Sequence, residues 1–166
     1  MKLRIKIIFM FVPIVLIIIS CGNKSERVKS LQTQVDSLQK RLDQTYTAGF
    51  GEMMTNIQIH HAKLWFAGKN QNWNLANYEI NELQETFDDI QKYQKARSES
   101  EMVPMITPAI DSVSKTIANK NLSQFESSFK FLTSTCNDCH LATGHEYNII
   151  IIPTTPPFTN QQFKKE

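Results

Sequence analysis

Two cysteines and a histidine near the C-terminus are the side chains in this sequence with the clearest chemical potential. Cys136, Cys139 and His140 form a Cys-x-x-Cys-His motif within the stretch TSTCNDCHLATGH. Residues of these types can hold a metal ion, exchange a disulfide or bind a haem covalently. The segment that carries the motif and the compartment of the protein decide among these chemistries.

The spacing of the motif favours a covalently attached haem. On a helix, sulfurs three residues apart lie on one face about a turn apart, so both can form thioethers along one edge of a porphyrin. The adjacent imidazole can then bind the iron. We therefore expect one haem c, held through Cys136 and Cys139, with His140 as an axial ligand.

Two other uses of the motif remain as alternatives. A redox-active Cys-x-x-Cys normally lies at the N-terminus of a helix, where the helix dipole lowers the thiol pKa, but this motif lies at the far end of one. A zinc site could recruit Cys136, Cys139, His140 and His145. Adjacent ligands at 139 and 140 strain the chelation of one ion, and the spacings differ from those of zinc fingers.

The N-terminus has the features of an export signal. Three basic residues precede an apolar run from Ile7 to Ile19, which is too short for the roughly twenty residues of a membrane span. The run ends in Ile18-Ile19-Ser20-Cys21, which resembles the lipobox of bacterial lipoproteins. This resemblance implies a signal peptide over residues 1–20 and lipidation of Cys21; the alternative is an ordinary signal peptide with an incidental cysteine.

Export sets the compartment and the partners that we expect. Removal of residues 1–20 takes three of the eighteen basic residues and leaves fifteen against sixteen acidic ones, so nothing indicates nucleic acid binding. The mature protein would be anchored to membrane lipid through Cys21 and face the periplasm of the cell envelope. Gly22 and Asn23 do not resemble an inner-membrane retention signal, which favours the outer membrane.

Residues 21–48 are predicted to be a lipid anchor and a spacer helix. Apolar residues recur there at spacings of three and four, as in a coiled-coil seam of under three heptads. The helix would lift the domain off the membrane, pack on it, or support a homo-oligomer through residues 25–45. The seam residues are Val28, Leu31, Val35, Leu38 and Leu42.

Residues 49–166 are predicted to be an all-α, haem-binding domain, a four-helix bundle with a C-terminal tail. The first helix covers about 52–67 and is stopped by Gly68, and the second starts at Asn72 or Asn74. The third opens between Pro104 and Pro108, and the fourth begins with a capping box at 123–126. The apolar stripe of the fourth helix continues into Cys136 and Cys139.

The tail from Tyr147 onward is predicted to be extended, because its prolines exclude a helix. It begins with four isoleucines, Ile149 to Ile152. An exposed run of this kind favours aggregation, so we expect it to cover an apolar surface.

These features together resemble a known family. A helical bundle with one Cys-x-x-Cys-His motif near the end of its last helix is the plan of cytochromes of the c-prime type. More narrowly, HHAKLWFAGKNQNWNLANYEINEL (60–83) and CNDCHLATGHEYNIIIIPTTPPFTNQQF (136–163) are similar to small exported bacterial monohaem cytochromes. The resemblance covers roughly residues 50–163. The 26 residues after His140 depart from the c-prime plan, so five-coordinate gas binding does not carry over directly.

The resemblance implies that the first helix passes the distal face of the haem. Its inward stripe contains Met54 and His61, so His61 would give bis-histidine iron and Met54, or its neighbour Met53, would give His/Met iron. Alternatively, His61 is a core histidine that binds a carbonyl, the methionine fills the core, and the sixth position is open. His145 is a minor candidate, and His60 is expected to face water.

The predicted function is that of a membrane-anchored c-type cytochrome that carries single electrons between periplasmic redox partners. We expect no enzymatic turnover, because the sequence has no nucleophile and base pair, phosphate loop or nucleotide motif. One alternative is a binder or sensor of NO or CO with five-coordinate iron. Another is a structural lipoprotein with a Cys/His zinc site.

Overall fold

A computed structural model describes residues 24–42 and 48–165. These residues form α-helices and one 3-10 helix, and no β-strand occurs among them. The all-α prediction is therefore confirmed for this part of the chain. None of its helices is both long and apolar enough to cross a membrane. The described residues divide into two units, one over 24–42 and the other over 48–165.

The first unit contains helix α1, which is helical throughout its described residues, 24–42. Each residue of the predicted seam is more than half exposed. The apolar stripe of α1 is therefore open to solvent, and self-association through it stays a prediction. The predicted signal peptide, Cys21 and residues 43–47 lie outside the described residues.

The second unit begins with two long helices joined by a three-residue turn. Helix α2 spans Phe50–Lys69 and α3 spans Trp73–Tyr93. The predicted stop at Gly68 is wrong, because Gly68 lies inside α2, and the chain turns instead through Gln71, with φ of +55°. The side chain of Asn72 then accepts a hydrogen bond from the Leu75 amide at 3.2 Å and begins α3.

The chain continues through two short elements that the sequence did not predict. Helix α4 spans Ser98–Met102 and leads directly into the 3-10 helix Val103–Ile106. Helix α5 follows over Thr107–Ala118, with Pro108 in its first turn, and α6 spans Leu122–Ala142. The predicted capping box at 123–126 is wrong: Asn121 caps α6 by accepting from the Gln124 amide at 3.0 Å.

The four long segments of the second unit enclose one apolar core. Helix α2 packs on α3, α3 on α5, α5 on α6, and α6 on α2. Phe125 and Phe129 of α6 are fully buried at the centre. The Phe125 ring lies so close to Gly68 that a Cβ atom added at residue 68 would overlap it. Glycine therefore permits α2 and α6 to approach at this point.

Residues after α6 contain turns and bends but no helix or strand up to residue 165. Ile152 packs against the core, whereas Ile149 and Ile151 are each 70% exposed. Near the chain end, Phe163 is buried against Phe66, with ring centroids 5.7 Å apart. The isoleucine run thus alternates, and only part of it covers the domain.

Candidate cofactor site

The Cys-x-x-Cys-His motif occupies the last two turns of α6. Cys136 and Cys139 are both partly buried, and neither forms a disulfide. The helix ends at Ala142, and Gly144 then adopts a left-handed conformation with φ of +75°, which suits glycine. The turn brings the His145 amide within 2.7 Å of the His140 carbonyl. The chain therefore reverses immediately after the motif and returns across it.

The returning segment fixes the imidazole of His140. Its Nδ1 lies 2.6 Å from the carbonyl oxygen of Asn148. A carbonyl oxygen can only accept a hydrogen bond, so Nδ1 carries a proton, and in the neutral imidazole Nε2 keeps its lone pair. This arrangement is the one that a metal-binding histidine needs, with one nitrogen oriented by a backbone acceptor and the other available to a ligand.

A cavity of about 350 Å³ lies beside the motif. This volume is at the lower end of the range of ligand pockets, roughly 300–1,000 Å³. The motif forms one wall, and the facing wall comes from α2. The 3-10 helix and α3 contribute apolar side chains, and the returning segment contributes Ile150. The cavity-lining residues that matter here are Cys136, Cys139, His140, Met54, His61 and Arg97.

The structure therefore brings the predicted residues of α2 and α6 to one cavity. Met54 lines it and is partly buried, whereas Met53 is buried in the core and is not among the lining residues. His145 also lines it, with Nδ1 2.9 Å from the Thr143 carbonyl. The residues expected to attach the haem and those expected near its distal face thus share one space.

His61 is held by a specific hydrogen bond. Its Nε2 lies 2.9 Å from Oγ1 of Thr133, and that hydroxyl donates its single proton to the Phe129 carbonyl at 2.9 Å. Nε2 of His61 is therefore the donor to Thr133. The side chain is 3% exposed, and burial lowers its pKa from 6.5 to about 4. His61 is thus a neutral imidazole with Nδ1 unprotonated.

The two thiols are also neutral. Burial raises the pKa of Cys136 to about 12, with a smaller contribution from neighbouring Cys139, and burial raises the pKa of Cys139 as well. A reactive disulfide-exchanging thiol has a lowered pKa. Within residues 24–42 and 48–165, moreover, no three His, Cys, Asp or Glu side chains form a group that could hold a metal ion. Neither observation supports the dithiol or the zinc alternative.

His60 differs from its expectation. It was predicted to face water, but its side chain is 17% exposed, and its Nδ1 lies 2.7 Å from Oε2 of Glu79. Glu79 is fully buried, and its Oε1 has no hydrogen-bond partner. The periodicity of α2 could not reveal this pair, because the carboxylate comes from α3.

Arg97 and Glu99 are cavity residues that the sequence did not single out. Among the described residues that line the cavity, Arg97 is the only arginine or lysine. Its guanidinium lies 4.8 Å from the centre of the Phe50 ring, and Nη2 donates to Glu99 Oε1 at 2.9 Å. The hydrogen bond from Arg97 holds the pKa of Glu99 at about 2. The cavity wall therefore carries an ion pair whose two charges balance.

Comparisons of the chain with models of protein families, with curated proteins and with solved structures find no match in any of the three. The functional argument therefore depends on the motif and on the geometry of the cavity.

Proposed function

We propose that the protein is a c-type cytochrome that carries single electrons through one covalently attached haem. The main supporting observation is that Cys136, Cys139 and His140 line one cavity, with the imidazole oriented by the Asn148 carbonyl. The same proposal includes the architecture: α2, α3, α5 and α6 form a four-helix bundle, and the residues after α6 form a tail over one edge of the cofactor.

Each residue of the cavity has a role in this proposal. The sulfurs of Cys136 and Cys139 would form the two thioethers, and Nε2 of His140 would bind the iron. When bound, the haem supplies an iron that gains and loses one electron at a time. The guanidinium of Arg97 is paired with Glu99 and keeps further N–H groups that could donate to a porphyrin carboxylate. The apolar side chains of α3 and the 3-10 helix exclude water from the macrocycle.

Met54 is the first candidate for the sixth ligand, and His61 is the alternative. Nε2 of His61 donates to Thr133, so this imidazole could bind iron without losing that bond only through Nδ1. Met54 has no hydrogen bond to lose and lines the cavity from α2. If neither side chain binds, the iron would be five-coordinate, and the protein would instead be a binder of NO or CO.

The proposed location is the cell envelope. A lipid on Cys21 would anchor the chain, α1 would separate the domain from the membrane, and the haem would face periplasmic redox partners. The outer membrane is favoured over the inner, and nucleic acid is not a partner. A test is the distribution of the protein between membrane and soluble fractions, where Cys21→Ser should release it without changing its absorption spectrum.

The central experiment is expression in cells that can mature c-type cytochromes. The wild-type protein should show a Soret band, a pyridine haemochrome of the c type, and haem that stays with the polypeptide after denaturation. The Cys136→Ala and Cys139→Ala variants should lose one thioether each, and the double variant should lose covalent haem. A colourless wild-type protein in which the thiols of Cys136 and Cys139 can both be alkylated would refute the proposal.

A second experiment separates the electron carrier from the gas binder. We expect low-spin iron whose ferrous form does not bind carbon monoxide at once, and Met54→Leu should make it high-spin and reactive. His61→Gln should leave the spin state unchanged. Immediate binding of carbon monoxide by the wild-type protein would favour the gas binder.

A further inference from the structure

The residue that follows the first cysteine of the motif holds the returning segment in place. The side-chain amide of Asn137 makes two hydrogen bonds to the backbone of Ile150. Its Nδ2 donates to the Ile150 carbonyl at 2.9 Å, and its Oδ1 accepts from the Ile150 amide at 2.8 Å. One side chain of α6 therefore satisfies both backbone groups of a residue thirteen positions later, as a neighbouring strand would.

This pair of bonds lies two residues from the acceptor of His140. The carbonyl of Asn148 accepts a hydrogen bond from His140 Nδ1 at 2.6 Å, and only Ile149 separates Asn148 from the residue that Asn137 holds. At the other side, the Asn148 amide donates to the His145 carbonyl at 2.9 Å. The Asn148 carbonyl is thus fixed from both directions.

The fixed segment also contributes to the cavity. Ile150 lines it, while Asn137 itself lies outside the lining residues. Asn137 is therefore placed to influence the cavity only through the backbone it holds. Further along, Ile152 and Phe163 pack against the domain and fasten the remaining tail independently.

We propose that Asn137 is a positioning residue for the iron ligand: its two bonds to Ile150 hold the Asn148 carbonyl against His140 Nδ1 and so set the electron density that Nε2 offers to iron. This inference rests on the proposed function. An imidazole whose second nitrogen donates to a fixed acceptor is a stronger electron donor, and it favours ferric over ferrous iron. Loss of the bonds should therefore raise the reduction potential.

The test compares Asn137→Ala and Asn137→Leu with Ser134→Ala. The leucine variant keeps the volume of the side chain and removes both hydrogen bonds, so an effect common to both Asn137 variants comes from the lost bonds and not from lost volume. Ser134, the control position, lies one turn earlier on α6, is exposed and does not line the cavity. All three proteins should retain covalent haem and the helical content of the wild type.

The first readout is the midpoint potential. Both Asn137 variants should have a higher midpoint potential than the wild type. At a fixed ambient potential, their ratio of ferrous to ferric iron should be about tenfold larger, which corresponds to about 59 mV for one electron. The control should stay at the wild-type value. Unchanged potentials in variants that bind haem would overturn the inference and leave the proposed function intact.

The second readout does not require haem. Nitrogen NMR of the haem-free chain should show His140 with the proton on Nδ1 in the wild type and in Ser134→Ala, and a mixture of tautomers in both Asn137 variants. A mixture in the wild type, or an unchanged tautomer in the variants, would overturn the inference. A failure of the wild type to bind haem, by contrast, would refute the proposed function through its spectrum.

Discussion

The close approach of Gly68 in α2 to Phe125 in α6 predicts that a larger residue at position 68 destabilises the domain. Alanine at residue 68 would introduce a methyl group that overlaps the Phe125 ring. That ring is fully buried, with Trp65, Trp73 and Phe129 around it at centroid distances of 6.3, 6.0 and 5.9 Å. The ring therefore has no open space to enter, and α2 and α6 must separate.

Two opposing effects set the change in the free energy of unfolding for Gly68→Ala. Overpacking of a core typically destabilises by about 1–3 kcal/mol, and the confined ring justifies the upper end, about 3 kcal/mol. Replacement of glycine by alanine inside a helix gains roughly 1 kcal/mol or less. Gly68→Ala should thus lower the free energy of unfolding by about 2 kcal/mol. For a unit of this size, the melting temperature should fall by roughly 8 °C.

The assay is urea unfolding of the haem-free chain, followed by circular dichroism, with Gly51→Ala as the matched control. Gly51 lies in the same helix and lines the cavity, and a Cβ atom added there meets no other protein atom within 4 Å. The control should be neutral or stabilising by up to about 1 kcal/mol. Adding Phe125→Leu should relieve the clash. The double variant should therefore be at least about 1 kcal/mol more stable than the sum of the two single-variant effects predicts. A neutral or stabilising Gly68→Ala would refute the close approach.

Three further outcomes are expected. Because the pKa of His61 is lowered to about 4, the neutral side chain contributes to the free energy of unfolding fully above its ordinary pKa of 6.5, and this contribution is lost as pH falls toward 4. Between pH 7 and 5 the free energy of unfolding should fall by about 2 kcal/mol. Urea unfolding of the haem-free chain measures this loss, and His61→Gln should abolish it. Arg97→Gln should raise the pKa of Glu99 from about 2 toward 4.5, as measured by NMR titration of its carboxylate, and an unchanged value would contradict the pairing. Phe163→Ala should release the chain end from Phe66, so limited proteolysis should cut after residue 150 first; uniform cleavage of the helices would contradict local docking.

The helices could be predicted because their apolar residues repeat with the helical period and pack into one core. The apolar residues that recur with this period are buried: Ala76, Ile80, Leu83, Phe87 and Ile90 in α3, and Ile110, Val113 and Ile117 in α5. Residues 98–106 carry no comparable period, so α4 and the 3-10 helix were missed. The ends of helices depend on single caps and turns, which explains the errors at Gly68 and at the start of α6.

The local part of the site was equally accessible, because the motif lies within five consecutive residues. The remainder depends on groups that no local pattern reveals. The acceptor of His140 is a backbone carbonyl, which any residue type supplies, and Arg97 reaches the cavity from an irregular loop. The pairing of His60 with Glu79 required the relative rotation of two helices. Sequence reasoning thus located the motif and missed the groups that orient its side chains.

The returning segment also constrains the timing of assembly. Residues 148–150 close over the end of α6 and are held there by Asn137 and His140. They follow the cysteines along the chain, so they leave the ribosome after them. Under the proposed function, an enzyme that joins porphyrin to the two sulfurs would have to act before residues 148–150 fold back over them. A chain that completed this fold without haem would then resist haem attachment.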